Sequence, residues 1–303
     1  MNANEARICV IGNAAIDLVF RVEHLPLAGE TSIATDTLHD FGGKGANQAV
    51  MAQRTGAQAQ LFAALGNDKD GERFLARLMN EGIDTRHVAR LPCATDMSIV
   101  TVDQRGENTI VTRNEAASSY VPSPGAVLDA TRSGDWIAMQ GNLSEAVTAS
   151  LLHQAHAGRR RTLLNPGPVC FDCRPMLNDV DVLVVNRVEA TALSRLENPE
   201  KAACSLQASG ARDVVVTLGS QGVLWCNAGH TTLIPAMPAN AIDTVGAGDA
   251  FCGALLASLA QGIAMTAALQ RAQAAAAFAV TRSGTQAAFP SRAELSALFH
   301  SLT

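Results

Sequence analysis

Short apolar runs that alternate with helical patterns constrain the fold of this 303-residue chain more than any other feature. Five such runs end in loops rich in glycine, asparagine or proline: 8–11, 136–139, 162–164, 180–185 and 214–218. Between and after them, apolar spacing predicts helices over 46–54, 71–81, 145–157, 187–196, 200–209 and 250–260. Nearly unbroken apolar strands that alternate with helices are typical of a parallel sheet covered on both faces. We therefore predict an α/β fold that is doubly wound, with a mainly parallel sheet and helices on both faces.

Two regions carry strand patterns of a different kind. Apolar residues alternate with Asp17, Val19 and Arg21 over 16–22, and strand-like segments 98–102 and 109–112 flank a turn. These antiparallel signals predict a small separate sheet that serves as a lid, with an antiparallel edge of the main sheet as the alternative. The chain shows no repeat or linker, so we predict one domain over 1–303, with lid insertions at about 14–41 and 96–115.

Composition excludes several classes of partner. The chain is 48% hydrophobic and 17% charged, with a formal net charge of −5, which argues against a general nucleic-acid or anionic-membrane surface. No apolar run approaches the roughly 18 residues of a membrane span, and the N-terminal residues lack a signal-peptide pattern. Seven scattered cysteines predict free thiols. We expect a cytoplasmic protein with small-molecule ligands and no nucleic-acid or membrane partner.

The segment 243–251 reads Asp-Thr-Val-Gly-Ala-Gly-Asp-Ala-Phe and runs into a predicted helix. Gly246 and Gly248 free several backbone N–H groups to converge on an anion at the positive end of the helix. Asp249 lies at the lip of this anion hole, where a carboxylate can accept a proton from a nucleophile during group transfer. A plain helix cap is the alternative function for Asp249.

A second glycine motif, Phe-Gly-Gly-Lys-Gly-Ala-Asn-Gln-Ala over 41–49, also opens a helix. Lys44 and Asn47 are three residues apart, so both can face one ligand. Neither glycine motif matches a Walker A loop or a dinucleotide fingerprint, which removes the best reason to expect either. A turn with a solvated lysine remains the alternative for 41–49.

Two further loops follow predicted strands. The segment 217–222, Thr-Leu-Gly-Ser-Gln-Gly, is typical of a backbone-lined nucleotide loop, and Asn186 begins a helix. Glu189 is either an ordinary first-turn carboxylate or a group that orients water around Mg²⁺. All four motifs fall in loops that the predicted fold gathers at one edge of its sheet.

With these motifs in their order, the chain resembles the ribokinase family of sugar kinases nearly from end to end. The matching elements are Gly12 with Asp17, the stretch 42–49, Asn165 with Pro166, Asn186 with Glu189, the stretch 217–220 and the stretch 243–249. The form of 42–48 is more similar to the ribokinase branch than to the fructokinase or adenosine-kinase branches.

The resemblance implies transfer of the ATP γ-phosphoryl group to the primary hydroxyl of a furanose, with D-ribose, giving D-ribose 5-phosphate, as the first candidate. By the same resemblance, Asp249 is the base, and the backbone of 245–248, including Gly246, Ala247 and Gly248, forms the anion hole. The residues expected to hold the sugar are Asp17, Gly43, Lys44, Asn47, Asn142 and Asp249.

The resemblance also implies ATP, Mg²⁺ and K⁺ as cofactors. ATP is assigned to Asn186, Thr217, Gly219, Ser220 and Gly222, and Mg²⁺ to Glu189 through water. The monovalent-cation site is assigned to Asp243, Val245, Ala279 and Gly284. In this family the lid often forms a dimer contact, so we expect a homodimer through the lid sheet.

Four positions depart from the family pattern. Ala15 and Ala117 stand where asparagines are common, Asn142 stands where a glutamate is expected, and Ala288 replaces a usual serine at the cation site. A pocket that makes fewer hydrogen bonds discriminates less against analogues that lack hydroxyls. Kinases of 2-deoxyribose, a ketohexose or a nucleoside therefore remain alternatives, as does a non-enzymatic sugar or nucleotide sensor on the same fold.

Overall fold

The computed structural model describes residues 7–302, in which the strands form two separate sheets. The strands of the main sheet are β1 (Ile8–Ile11), β4 (Ala59–Gly66), β5 (Val88–Leu91), β8 (Trp136–Gln140), β9 (Arg161–Asn165), β10 (Val182–Asn186), β11 (Asp213–Thr217), β12 (Val223–Asn227) and β13 (His230–Ile234). The lid sheet contains β2 (Ala15–Arg21), β3 (Asp36–Gly42), β6 (Asp96–Val102) and β7 (Asn108–Arg113).

The main sheet has the order β13-β12-β11-β10-β9-β8-β1-β4-β5. Every neighbouring pair from β11 to β5 is parallel, and β12 and β13 add an antiparallel edge. From β1 the chain builds toward β5 on one side and later, from β8, toward β13 on the other. The crevice at the carboxyl ends of β1 and β8 is therefore the switch point, where ligands bind in sheets of this kind.

The helices cover both faces of the main sheet. They are α1 (Lys44–Arg54), α2 (Lys69–Asn80), α3 (Glu115–Ser119), α4 (Pro124–Ala130), α5 (Glu145–Ala157), α6 (Arg187–Ser194), α7 (Pro199–Ala208), α8 (Ala247–Ala260), α9 (Met265–Ala279) and α10 (Arg292–His300). In β1, Ile8 and Val10 join the core beneath α1, α8 and α9, while Cys9 and Ile11 join the core beneath α5 and α7. One apolar strand thus supplies two cores, because successive side chains point to opposite faces.

The predicted fold class is confirmed. The five predicted main-sheet strands, the six predicted helices and the hairpin over 98–112 are all present, with ends that shift by a few residues. The second sheet is separate from the first, so the alternative of an antiparallel edge does not account for 16–22. The prediction missed β3, β4, β5, β12, β13, α3, α4, α9 and α10. Within the described residues, no helix is long and apolar enough to cross a membrane.

The lid strand β2 differs from the simple two-faced pattern. Asp17 and Val19 are buried, whereas Leu18 and Phe20 are only half-buried. Val19 packs with Val100 and Val102 of β6 in a small core of the lid sheet. The lid therefore turns an acidic side chain inward, toward the carboxyl edge of the main sheet.

Candidate active site

A cavity of about 1000 Å³ lies between the lid sheet and the carboxyl ends of β1 and β8. It is also bounded by the start of α1 and the start of α8. The sequence-predicted residues that line it are Asp17, Gly43, Lys44, Asn47, Asn142, Val245, Gly246 and Asp249. The structure thus brings the predicted sugar-binding set and the predicted base together, although they come from distant parts of the chain.

The helix α1 reaches this cavity because glycines let its first turn approach β1 and β2. Gly43 precedes the helix with φ 84°, and an added Cβ there would lie 2.7 Å from the backbone N of Ala15. At Gly45 an added Cβ would lie 2.8 Å from both the N and the O of Asn13. Residues other than glycine do not fit so close an approach, which explains the second glycine motif.

Asp249 lies in the first turn of α8, and its carboxylate does not cap that helix, whose N-cap is Gly246 with φ 76°. The carboxylate is 5% exposed. Its Oδ2 accepts a hydrogen bond from Asn47 Nδ2 at 2.9 Å, and its Oδ1 accepts one from Gln48 Nε2 at 3.3 Å. Lys44 Nζ lies 3.7 Å from Oδ1, and the nearby Asp249 charge raises the pKa of Lys44. Lysine 44 is therefore a fixed positive charge beside a buried carboxylate.

A network of side-chain amides fixes the orientation of this carboxylate. Gln286 Nε2 donates to Asn47 Oδ1 at 3.0 Å, and Gln140 Nε2 donates to Gln48 Oε1 at 2.9 Å. Because both amide oxygens are occupied in this way, the amide nitrogens of Asn47 and Gln48 must point toward Asp249. The sequence indicated no role for Gln48 or Gln286, although Gln48 lies inside the second glycine motif.

Asp17 enters the cavity from β2. It is 6% exposed, and Thr285 Oγ1 donates to its Oδ2 at 2.8 Å. Burial, helped by the nearby carboxylates of Asp40 and Asp249, raises the pKa of Asp17 to about 7, against the lowering effect of the Thr285 and Ser98 hydroxyls. Thr285 was not predicted, because nothing in its local sequence links it to a residue 268 positions away.

Two asparagines, Asn114 and Asn142, also line the cavity. Asn114 Nδ2 donates to the carbonyl of Asn142 at 3.1 Å. The Oδ1 atoms of Asn114 and Asn142 are buried and have no hydrogen-bond partner among the described residues. Both residues line the cavity, so both oxygens are available to accept from hydroxyl groups. Ala15 and Ala117 are buried and contribute no polar atom.

The predicted nucleotide residues lie along the same edge of the sheet, outside the 1000 Å³ cavity. Asn186 and Thr217 are paired at the ends of β10 and β11, and the loop over 219–222 follows. Asn186 caps α6: its side chain accepts from the backbone N of Glu189 at 2.8 Å, and Glu189 Oε2 accepts from the backbone N of Asn186 at 2.9 Å. The structure thus groups Asn186, Thr217, Gly219, Ser220 and Gly222 in one neighbourhood.

Glu189 keeps one oxygen outside this capping box. An added Cβ at Gly167 would collide with Glu189 Oε1 and would lie 3.6 Å from Lys44 Cε, so Gly167 brings the two charged side chains close. In the described chain no group of three or more histidine, cysteine or acidic side chains could hold a metal ion alone. A single carboxylate oxygen outside a capping box suits Mg²⁺, which commonly keeps several of its waters and is bound by one or two carboxylates.

Asp243 lies at the other end of the 243–251 segment and is buried. Its Oδ1 accepts from the backbone N of Val245 at 3.0 Å, and its Oδ2 accepts from the backbone N of Gly284 at 3.1 Å. Arg21, which was not predicted, forms an ion pair with Asp243 at 3.3 Å. Ala279 ends α9, and the carbonyl of the next residue, Val280, accepts from the backbone N of Asp243 at 3.2 Å. The predicted cation ligands are therefore close together. A K⁺ bound there would share the carboxylate of Asp243 with the guanidinium of Arg21.

The chain is similar to known carbohydrate kinases over nearly its whole length. The sequence profile described as the pfkB family of carbohydrate kinases matches residues 5–292. The chain is 32% identical to the ribokinase of Bacillus subtilis over 96% of this chain and 98% of that protein. It is 30% identical to the deoxyribokinase of Salmonella typhi over 94% and 95% of the two chains. The ribokinase of Cryptococcus neoformans, solved with ADP, has a TM-score of 0.85, 26% identity, and coverage of 96% and 99%.

Proposed function

The chain belongs to the pfkB family of carbohydrate kinases, and on that premise we propose that it phosphorylates the primary hydroxyl of a pentose with ATP. It is a phosphotransferase, which leaves the sensor alternative without support. D-ribose is the first candidate substrate, and D-ribose 5-phosphate the product. One observation carries the proposal: the buried carboxylate of Asp249 shares a single cavity with the sugar-facing Asp17 and lies at the glycine-rich start of α8.

In the proposed reaction, Asp249 accepts the proton of the sugar hydroxyl as that oxygen attacks the γ-phosphorus. A sugar hydroxyl is a weak nucleophile, so the reaction depends on a carboxylate that is held in position to take its proton, and the hydrogen bonds from Asn47 and Gln48 fix the direction of the Asp249 carboxylate. The backbone N–H groups of 245–248 would donate to the oxygens of the transferring group. Lys44 would neutralise charge that builds up on that group.

The sugar would bind through Asp17, Gly43, Asn47 and Asn142. Asp17 can accept two hydroxyls once ionised, and the unpaired Oδ1 of Asn142 can accept another. ATP would lie along 217–222 and Asn186, and Mg²⁺, held through water by Glu189, would supply charge neutralisation to its phosphates. Water is excluded by the lid sheet when the sugar is bound, which limits transfer of the phosphoryl group to water.

A second candidate substrate, 2-deoxy-D-ribose, is favoured by a specific comparison. The chain is almost as similar to a deoxyribokinase as to a ribokinase, at 30% and 32% identity. The cavity of about 1000 Å³ also exceeds what a pentose needs, which keeps a ketohexose or a nucleoside among the compounds to test.

The experiment that tests the proposal measures ADP release with Mg²⁺ and K⁺ for D-ribose, 2-deoxy-D-ribose, D-fructose, D-tagatose and adenosine. We expect the highest kcat/KM for D-ribose. A higher value for 2-deoxy-D-ribose would keep the mechanism and change the substrate. Turnover of none of these compounds by a folded protein would refute a pentose kinase.

Two further assignments rest on the same proposal. We propose that a monovalent cation at Asp243, Val245, Ala279 and Gly284 raises the rate, tested by replacing K⁺ with tetramethylammonium.

We also propose a homodimer through the lid, because Ile110 and Val111 of the edge strand β7 are 52% and 72% exposed. Sedimentation of the wild type and of Val111→Lys would test that dimer; a wild-type monomer would contradict it.

A further inference from the structure

A second cavity, of about 310 Å³, lies at the far end of α1 from the candidate active site. Its walls come from the turn after α1, from α9 and from α10. Since an α-helix rises about 1.5 Å per residue, the 11 residues of α1 separate Lys44 from this cavity by about 15 Å. The cavity is therefore distinct from the site described above.

The charge of this cavity is positive. Arg54, Arg271 and Arg292 line it, together with His300, and no aspartate or glutamate does. Arg54 is already occupied: it forms an ion pair with Glu81 at 2.6 Å and donates to the carbonyl of Phe289 at 3.0 Å. The other two arginines, Arg271 and Arg292, add positive charge to the cavity of a protein whose formal net charge is −5.

The side chains of Arg271 and Arg292 have no anionic partner within residues 7–302, where neither side chain makes a hydrogen bond or an ion pair. The guanidinium of Arg271 stacks on the ring of Phe299, with its Cζ 4.9 Å from the ring centroid. This stacking leaves the edge of the guanidinium, which carries its N–H donors, free to bind an anion. Arg292, the first residue of α10, adds a second guanidinium to the same cavity.

The remaining wall of the cavity is apolar. Leu295 is buried and the Phe299 ring is half-buried, and both face the cavity beside the arginines. A volume of about 310 Å³ lies at the lower end of the range for small-molecule sites. The lining thus matches a compact ligand that has a charged end and an apolar body.

We propose that this cavity binds a small organic phosphate monoester. Two unpaired guanidinium groups match the charge of about −1.5 to −2 that such a group carries near neutral pH, and the fork of each matches two phosphate oxygens. The apolar body of the ligand packs on Leu295 and Phe299. The site is one of binding only, and no bond is made or broken in it.

The test compares phenyl phosphate with inorganic phosphate by calorimetry, with a saturating non-hydrolysable ATP analogue present to fill the candidate active site. The variants are Arg292→Ala, whose exposed side chain makes no hydrogen bond or ion pair within residues 7–302, and the double variant Arg271→Ala/Arg292→Ala. The matched control is Arg73→Ala/Arg132→Ala, which removes two arginine side chains from the surface elsewhere.

We expect phenyl phosphate to bind the wild type and the control equally, and the double variant at least about tenfold more weakly. Equal binding by the double variant, or no binding by the wild type at about 10 mM, would overturn the proposal. Equal affinity for the two probes would also overturn it, since the apolar wall would then be unused. As a check independent of affinity, crystals soaked in selenate should show an anomalous peak between Arg271 and Arg292.

Discussion

Replacing Asp17 by asparagine should stabilise the protein without ligand, by an amount that depends on pH. Burial raises the pKa of Asp17 to about 7, from 3.8 in an unfolded chain. Between these two pKa values the folded state holds a proton that the unfolded state has lost. The free energy of unfolding therefore falls as pH rises through this interval, and the full loss is present above about pH 7.

The magnitude follows from the difference between the two pKa values. About three pKa units at 1.36 kcal/mol each give about 4 kcal/mol as an upper limit. Asparagine carries no charge at any of these pH values, and its amide oxygen can still accept from Thr285. The stability of Asp17→Asn relative to wild type should therefore grow from about pH 4 to about pH 7 and then level off.

Urea unfolding of the ligand-free proteins, at intervals from about pH 5 to about pH 8, measures this difference directly. The control is Asp129→Asn, because Asp129 is exposed and makes no hydrogen bond or ion pair within the described residues. A stability difference that does not change with pH would refute the reasoning. The same ionisation should appear in function: kcat/KM for the sugar should fall as pH drops below about 7, since protonated Asp17 accepts fewer hydroxyls.

Three other changes test the site. Asp249→Asn should lower kcat by about 10²–10⁴-fold while calorimetry still detects sugar binding; unchanged turnover would remove Asp249 from the role of base. Gly45→Ala should destabilise the protein by about 1–3 kcal/mol in urea unfolding, because its Cβ would lie 2.8 Å from the Asn13 backbone, whereas Gly125→Ala, whose Cβ would meet only Ser123 Oγ at 3.6 Å, should not. Glu189→Gln should raise the Mg²⁺ concentration for half-maximal activity about tenfold and leave unfolding unchanged, because the amide oxygen still caps α6; an unchanged Mg²⁺ requirement would contradict the assignment.

Local patterns in the sequence were sufficient to predict the strands and helices nearest the site. β1, β8, β9 and β10 are short apolar runs with polar residues at their carboxyl ends, and parallel pairing brings those ends to one edge. Other elements carry weaker patterns. The helix α9 is rich in alanine and has little polar contrast between its faces, and β12 and β13 depend on pairing with β11.

The long-range contacts that complete the site could not be predicted from the local sequence. Gln286 and Thr285 act on Asn47 and Asp17, which lie 239 and 268 residues earlier in the chain. Arg21 is paired with Asp243 across 222 residues. No periodicity or motif at either member of these pairs indicates the other. Only the folded arrangement of the lid, α1 and the segment before α10 brings them together.

One rigid helix connects the two cavities. Arg54, at the end of α1, also donates to the carbonyl of Gln286 at 3.4 Å, and the Gln286 side chain donates to Asn47, which in turn donates to Asp249. If an anion beside Arg54 changes sugar affinity by some factor, thermodynamic reciprocity requires the sugar to change anion affinity by that same factor. The ratio of phenyl phosphate dissociation constants with and without saturating sugar would then give the coupling free energy without any kinetic measurement.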